Sequence, residues 1–130
     1  MEANIKWIDG VNFSALTESG NTILMDGPVE NGGNNNGSRP TELLISGMGG
    51  CTAFDIVCMA KTKKIKIKNF NLKINAQRTN SKPSIINKIH CTYIIDSDEK
   101  NKDDLEKIIQ SSLNKHCSCC IVLGKAIDIS

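Results

Sequence analysis

Cys51 and Cys117 are the residues of this chain whose settings best suit covalent chemistry. Cys51 ends the run Gly47-Met48-Gly49-Gly50-Cys51, inside a stretch that reads as a helix padded with glycines. Cys117 opens Cys117-Ser118-Cys119-Cys120, directly after His116, where one helix stops and another begins. Both are places where a thiol is reachable and its thiolate can be stabilised. With Cys117 at the start of its helix, backbone N–H groups would point at the sulfur and lower its pKa. A reactive thiolate takes an oxygen from a peroxide and becomes a sulfenic acid, and a second thiol within reach condenses with it to a disulfide. That closure needs Cα atoms no more than about 7 Å apart.

Two other readings of the same residues stay open on chemistry alone. One reads Cys51 and Cys117 as buried structural thiols, since free cysteine packs as a small hydrophobe. Alternatively, His116, Cys117, Cys119 and Cys120 offer soft ligands, with His90 and Cys91 as possible additions. Cys117 and Cys120 have the two-residue spacing of a zinc half-site, but no second pair matches it, so no metal site is assigned. The remaining thiols read as packing: Cys91 inward on a strand, and Cys58 on the helix face of Cys51. Neither histidine lies in a nucleophile motif, and the Gly47–Gly50 run does not follow a strand as a nucleotide-binding loop would. No cofactor is expected.

The elements that must position these thiols are legible from periodicity. Residues 2–26 alternate in polarity around Asp9-Gly10 and Ser19-Gly20-Asn21, predicting a three-stranded meander. Residues 27–38 are rich in Gly and Asn and read as a mobile loop. Pro40 to about Lys63 is the central helix, with proline at its first position and Glu42 in its first turn. It is apolar nearly all round, which predicts a buried helix. Gly47, Gly49 and Gly50 each cost about 1 kcal/mol against alanine there, so close approach of a backbone or ligand is expected.

A strand over 65–76, with a bulge between Ile67 and Phe70, pairs through an 80–84 loop with a strand carrying Ile89, Cys91, Tyr93 and Ile95. Asn101 caps a second helix whose buried face holds Leu105, Ile108, Ile109 and Leu113. A short apolar helix, 117–123, ends at Gly124, and 126–129 is a last strand. The class is α+β, in one domain spanning 1–130.

Composition narrows the function. A net charge of +2 and only two arginines, Arg39 and Arg78, argue against nucleic acid or an anionic membrane as partner. The Lys61–Lys68 cluster reads as a solvated face. No stretch is expected to approach 18 apolar residues, so no membrane span is expected, and nothing near the N-terminus resembles a signal peptide. The expected compartment is the cytoplasm, where thiols stay reduced unless they react or bind metal.

With these elements in place, the chain resembles the OsmC/Ohr superfamily, and within it the YhfA-like subgroup. The resemblance rests on Pro40-Thr41-Glu42-Leu43-Leu44, on Gly49-Gly50-Cys51 with Asp55-Ile56-Val57, and on Lys115-His116-Cys117-Ser118. Lys6-Trp7-Ile8-Asp9-Gly10 and Ile23-Leu24-Met25-Asp26-Gly27 extend it over nearly the whole chain. It implies an OsmC-like fold, with antiparallel sheets wrapped around a central buried helix in an intertwined homodimer. It implies a two-cysteine peroxidase of oxidative-stress defence, in which Cys51 attacks an organic hydroperoxide, Cys117 resolves, and a thiol reductant reopens the disulfide.

The family's peroxidases place a glutamate ten positions before the attacking cysteine. Here that position is Thr41, and Glu42 stands nine before Cys51. At about 100° per residue Glu42 lies about 180° around the helix from Cys51, where a ten-residue offset lies about 80° away. Neither arginine matches the family's thiolate-holding position. The alternative function is therefore a non-catalytic OsmC-like module that binds a small hydrophobic ligand or a partner at the dimer cleft.

Overall fold

Strand β1 (Ala3–Asp9) turns at Gly10 into β2 (Asn12–Thr17), and β2 turns at Gly20 into β3 (Thr22–Met25), in a computed structural model that describes residues 1–130. The expected meander is present, as an antiparallel sheet in the order β1-β2-β3. Gly10 has φ +45° and Gly20 φ +83°, left-handed values that explain glycine at both turns. Backbone contacts divide the chain into two units, residues 1–44 and 45–130.

In the first unit, residues 27–38 are more ordered than their composition predicts. Asp26 is 1% exposed and accepts backbone N–H bonds from Gly27, Asn34 and Asn36 at 2.7–3.0 Å. These bonds, with that from Asn36 foremost, hold its carboxyl below the usual carboxylate range against the opposing effect of burial. One buried carboxylate thus gathers the loop around itself. Arg39 closes the arrangement, donating from Nη1 to the Asp26 carbonyl at 2.9 Å and from Nη2 to Asn35 Oδ1 at 2.8 Å. The sheet leaves Ile5, Trp7, Leu16 and Leu24 exposed.

Helix α1 (Pro40–Thr62) starts as its sequence predicts. The Glu42 carboxylate reaches back to accept the Arg39 N–H at 2.9 Å, which completes one side of a capping box. The expectation of a helix buried all round needs correction. Only the stripe Met48, Gly49, Thr52, Ile56 and Ala60 is buried, while Phe54 is 70% and Val57 47% exposed. The expectation about membrane spans also changes. An 18-residue window of α1 has mean hydropathy 1.7, so by length and composition the helix is apolar enough to cross a membrane, a property that core helices share. Ser, Thr and Gly interrupt the apolar residues of α1 without making the helix polar.

The glycine expectation holds at one position of three. A Cβ on Gly49 would stand 2.5 Å from Ile74 Cδ1, so Gly49 lets a strand approach the helix closely, whereas Gly47 and Gly50 face open space.

In the second unit β4 (Asn69–Arg78) and β5 (Ile86–Asp96) form an antiparallel hairpin. The phase change after Ile67 is not a bulge: Ile65 and Ile67 precede the strand, and the register shift lies at Gln77/Arg78. A short β6 (Asp128–Ile129) pairs with β5 in parallel, so the second sheet is mixed rather than wholly antiparallel. Helix α2 (Lys102–Ser111) buries Leu105 and Ile108 as expected. Asn101 occupies its cap position without a side-chain cap bond; its Nδ2 donates to Ser97 Oγ instead. A π-helical turn over 112–116 follows, then α3 (Ser118–Leu123).

Two apolar clusters organise this unit. One gathers Ile56, Ala60, Ile65, Leu105 and Ile108. The other gathers Met48, Ile89, Cys91, Cys117 and Cys120, with Cys51 and Cys119 packed against it. Full burial of Ile56 and Ile89 contributes about 1.5–3 kcal/mol each.

Candidate functional site

The middle of α1 presents Cys51, Thr52 and Asp55, residues within one helical turn, toward the junction between α2 and α3. Thr52 fixes that junction. Its hydroxyl is fully buried and shares hydrogen bonds with Ser112 Oγ at 2.9 Å and Tyr93 Oη at 3.1 Å. Ser112 also donates to Asp55 Oδ2 at 3.5 Å, and its carbonyl accepts the Cys117 N–H at 2.9 Å. Helix α1, strand β5 and the π-helical turn are thereby pinned around the two thiols. Such π turns recur at functional sites because the widened turn displaces the residues after it. Burial pushes the Tyr93 phenol up to about 12, so it stays a neutral hydrogen-bonding group.

The structure brings Cys51 and Cys117 together. Their sulfurs and an Asp55 carboxylate oxygen all lie within 4.8 Å of one another. Cys117 is the residue that caps α3, with extended backbone (φ −68°, ψ 105°), and its sulfur accepts the Cys120 N–H at 3.4 Å. Ser118 Oγ stands 3.9 Å from the Cys51 sulfur.

The electrostatic asymmetry is opposite to the one expected. The Cys51 thiol is held below the ordinary thiol value, chiefly by the Cys119 backbone N–H and then by the Cys117 side chain, with burial opposing. The Cys117 thiol is pushed up: it has no exposed surface, and its burial outweighs the Cys120 N–H. The start of α3 therefore favours thiolate at Cys51, across the gap, rather than at the cysteine that caps it. Burial also raises the Cys91 and Cys120 thiols.

The other candidates separate. Cys91 is inward and buried on β5 as expected, whereas Cys58 is exposed on α1 rather than packed in the core. His116 is exposed, and His90 Nδ1 shares a hydrogen bond with Ser130 Oγ at 3.0 Å; neither belongs to the cluster of possible metal ligands. That cluster is Cys51, Asp55 and Cys117, a set different from the histidine and cysteine run considered first. Three donors of this kind match an open zinc site better than a closed structural one. Arg39 is engaged with its loop, and Arg78 Nη2 donates to the Ser84 carbonyl at 2.7 Å in the β4–β5 loop.

Sequence reasoning missed the Thr52–Ser112–Tyr93 hydroxyl group. Its signal was a threonine on the otherwise apolar stripe of α1, beside Cys51. Asp55 shared the helix face of Cys51 in the sequence, but only the fold shows its carboxylate beside both sulfurs.

Comparison with known proteins agrees with the fold and the motifs. The chain is 28% identical over 133 residues to protein YhfA of Escherichia coli K12, covering 100% of this chain and 94% of that protein. A crystal structure of a protein from Aquifex aeolicus VF5 matches with a TM-score of 0.83 at 23% identity, over 99% of this chain and 90% of that one. A Legionella pneumophila protein described as the organic hydroperoxide resistance protein OsmC matches with a TM-score of 0.73 at 17% identity, over 100% and 94%. At these identities the two structures speak for the fold alone. The family of OsmC-like proteins matches residues 32–130, and the chain belongs to that family.

Proposed function

We propose that this protein reduces organic hydroperoxides through Cys51 and Cys117. The observation that carries the reading is the pair of sulfurs within 4.8 Å in opposite environments, one favouring thiolate and the other favouring thiol. The Cys51 thiolate attacks the outer peroxide oxygen, the O–O bond breaks, and the alkoxide leaves with a proton as alcohol. Cys51 is left as a sulfenic acid. The Cys117 thiol then condenses with it, forming the disulfide and releasing water. A dithiol reductant supplies the two electrons that reopen the bond. Membership of the OsmC-like family supports the same chemistry.

The reading includes a homodimer. Phe54 and Val57 on α1, and Trp7, Leu16 and Leu24 in the first sheet, are large apolar residues left exposed by the single chain. The compartment that fits the thiol chemistry is the cytoplasm.

A second reading has one observation in its favour. Both arginines are engaged elsewhere by hydrogen bonds, so no guanidinium is free to hold the Cys51 thiolate. A non-catalytic module with an apolar ligand or a partner at the dimer cleft fits that fact. Consumption of cumene hydroperoxide or t-butyl hydroperoxide, coupled to oxidation of a dithiol, separates the two. Turnover abolished by Cys51→Ser is expected; turnover that survives the substitution unchanged overturns the peroxidase reading.

A further inference from the structure

The two-cysteine cycle leaves a third thiol at the site unused. Cys119 is half-buried, packs against the same cluster as Cys51, and follows Ser118, whose hydroxyl stands 3.9 Å from the Cys51 sulfur. Its backbone N–H is the chief influence that lowers the Cys51 thiol, and burial followed by the Cys51 side chain pushes the Cys119 thiol up. Cys117 and Cys120 differ from it in being 0% and 3% exposed.

Reduction poses a problem for the Cys51–Cys117 disulfide. The Cys117 sulfur is fully buried and out of reach of an external thiol. Attack on the more accessible Cys51 sulfur would expel Cys117 as a thiolate inside the apolar cluster of Met48, Ile89, Cys91 and Cys120, where a charge is costly.

We propose that Cys119 is a second resolving thiol, and that the Cys51–Cys119 disulfide is the form an external dithiol opens. The inference rests on the peroxidase reading. Cys119 reaches this state by condensing with the Cys51 sulfenic acid, releasing water. The reductant's thiolate then attacks the half-buried Cys119 sulfur and expels Cys51, also half-buried, as a thiolate. The reductant's second thiol closes on the mixed disulfide, leaving as a cyclic or protein disulfide and restoring the Cys119 thiol.

The test treats reduced protein with one equivalent of cumene hydroperoxide and reads intact mass under acid quench. Wild type is expected to lose two hydrogens; if it does not, the peroxidase reading falls and this proposal with it. Cys117→Ser is expected to lose two hydrogens as well, whereas Cys117→Ser/Cys119→Ser stops at one added oxygen. A Cys117→Ser protein that keeps the oxygen without closing overturns the proposal and leaves the peroxidase reading standing. So does a double variant that still closes. Cys119→Ser gives a second measurement on a less buried residue: it should oxidise to the Cys51–Cys117 disulfide but be reduced by dithiothreitol about tenfold more slowly than wild type. An unchanged reduction rate overturns the proposal.

Discussion

The sulfurs of Cys51 and Cys117 share a site less than 4.8 Å across, yet the same short helix shifts their acidities in opposite directions. Cys117 caps α3 and accepts one of its N–H groups, but its complete burial dominates and favours the neutral thiol. Cys51 stands across from the helix start and is half-buried, and the Cys119 N–H tips it toward thiolate. The opposite shifts of the two thiols follow from burial as much as from hydrogen bonds.

The first expectation concerns alkylation. The rate at which iodoacetamide modifies Cys51 rises with pH as thiolate forms, and its midpoint should fall below the ordinary thiol value of about 8.5. Cys117→Ala should move that midpoint upward, because it removes the second-largest stabilising partner of the thiolate. Peptide-resolved mass spectrometry of a pH series reads both. A Cys51 midpoint above the ordinary value would contradict the assignment of Cys51 as the attacking thiol.

Thr52→Val tests the hydroxyl group that pins α1 to the π-helical turn. Valine keeps the shape and removes the partner of Ser112 and Tyr93, leaving buried hydroxyls short of a bond. The expected loss is about 1–3 kcal/mol, measured by urea unfolding under reducing conditions. Thr52→Ser keeps the hydroxyl and gives up one methyl, so it should cost about 1 kcal/mol. If valine costs no more than serine, the hydroxyl bonds are not what holds the junction.

Alkaline pH should destabilise the fold. Cys91, Cys117 and Cys120 have thiols raised by burial, so in the folded chain they stay protonated above the unfolded thiol value of about 8.5. Above that pH the unfolded chain binds fewer protons than the folded one, and stability falls as pH rises until the folded groups also ionise. Cys51 acts in the opposite sense at lower pH: its depressed value adds stability above its unfolded value, and this is lost as pH falls through the folded one. The urea midpoint should therefore drop between neutral pH and pH about 10, and Cys120→Ala should flatten that slope whatever it does to the midpoint at neutral pH.

The fold was legible in the sequence where one element decides its own environment. The meander, the start of α1 at Pro40 and the alternation of Ile89 and Cys91 are local patterns, and each appears as expected. Ile65 and Ile67 misled because an apolar alternation before a strand looks like part of it; Ile65 instead packs on α2 residues as the chain leaves α1. At the site, the pairing of Cys51 with Cys117 came from motifs, but the direction of their pKa difference did not. Helix-start chemistry is local, whereas the burial that overrides it at Cys117 comes from Met48, Ile89 and Cys91, far away in sequence. Cys58 shows the same limit. Its face of α1 reads as apolar, but no other part of the chain covers it.

That uncovered face leads to the last expectation. Phe54, at 70% exposure, stands on the side of α1 opposite its buried stripe, and Val57, at 47%, flanks that stripe. An exposed phenylalanine on a mid-domain helix is costly in water, and burying it against a second copy would return about 1.5–3 kcal/mol per chain. Sedimentation equilibrium of the reduced protein should give twice the mass of the chain. Phe54→Glu places a charge where that contact needs an apolar surface, and should shift the protein to monomer at micromolar concentration, as an uncompensated buried charge costs several kcal/mol. Phe54→Leu keeps the surface apolar and should remain dimeric. A wild-type protein that sediments as a monomer, or a Phe54→Glu dimer of undiminished affinity, would remove α1 from the interface.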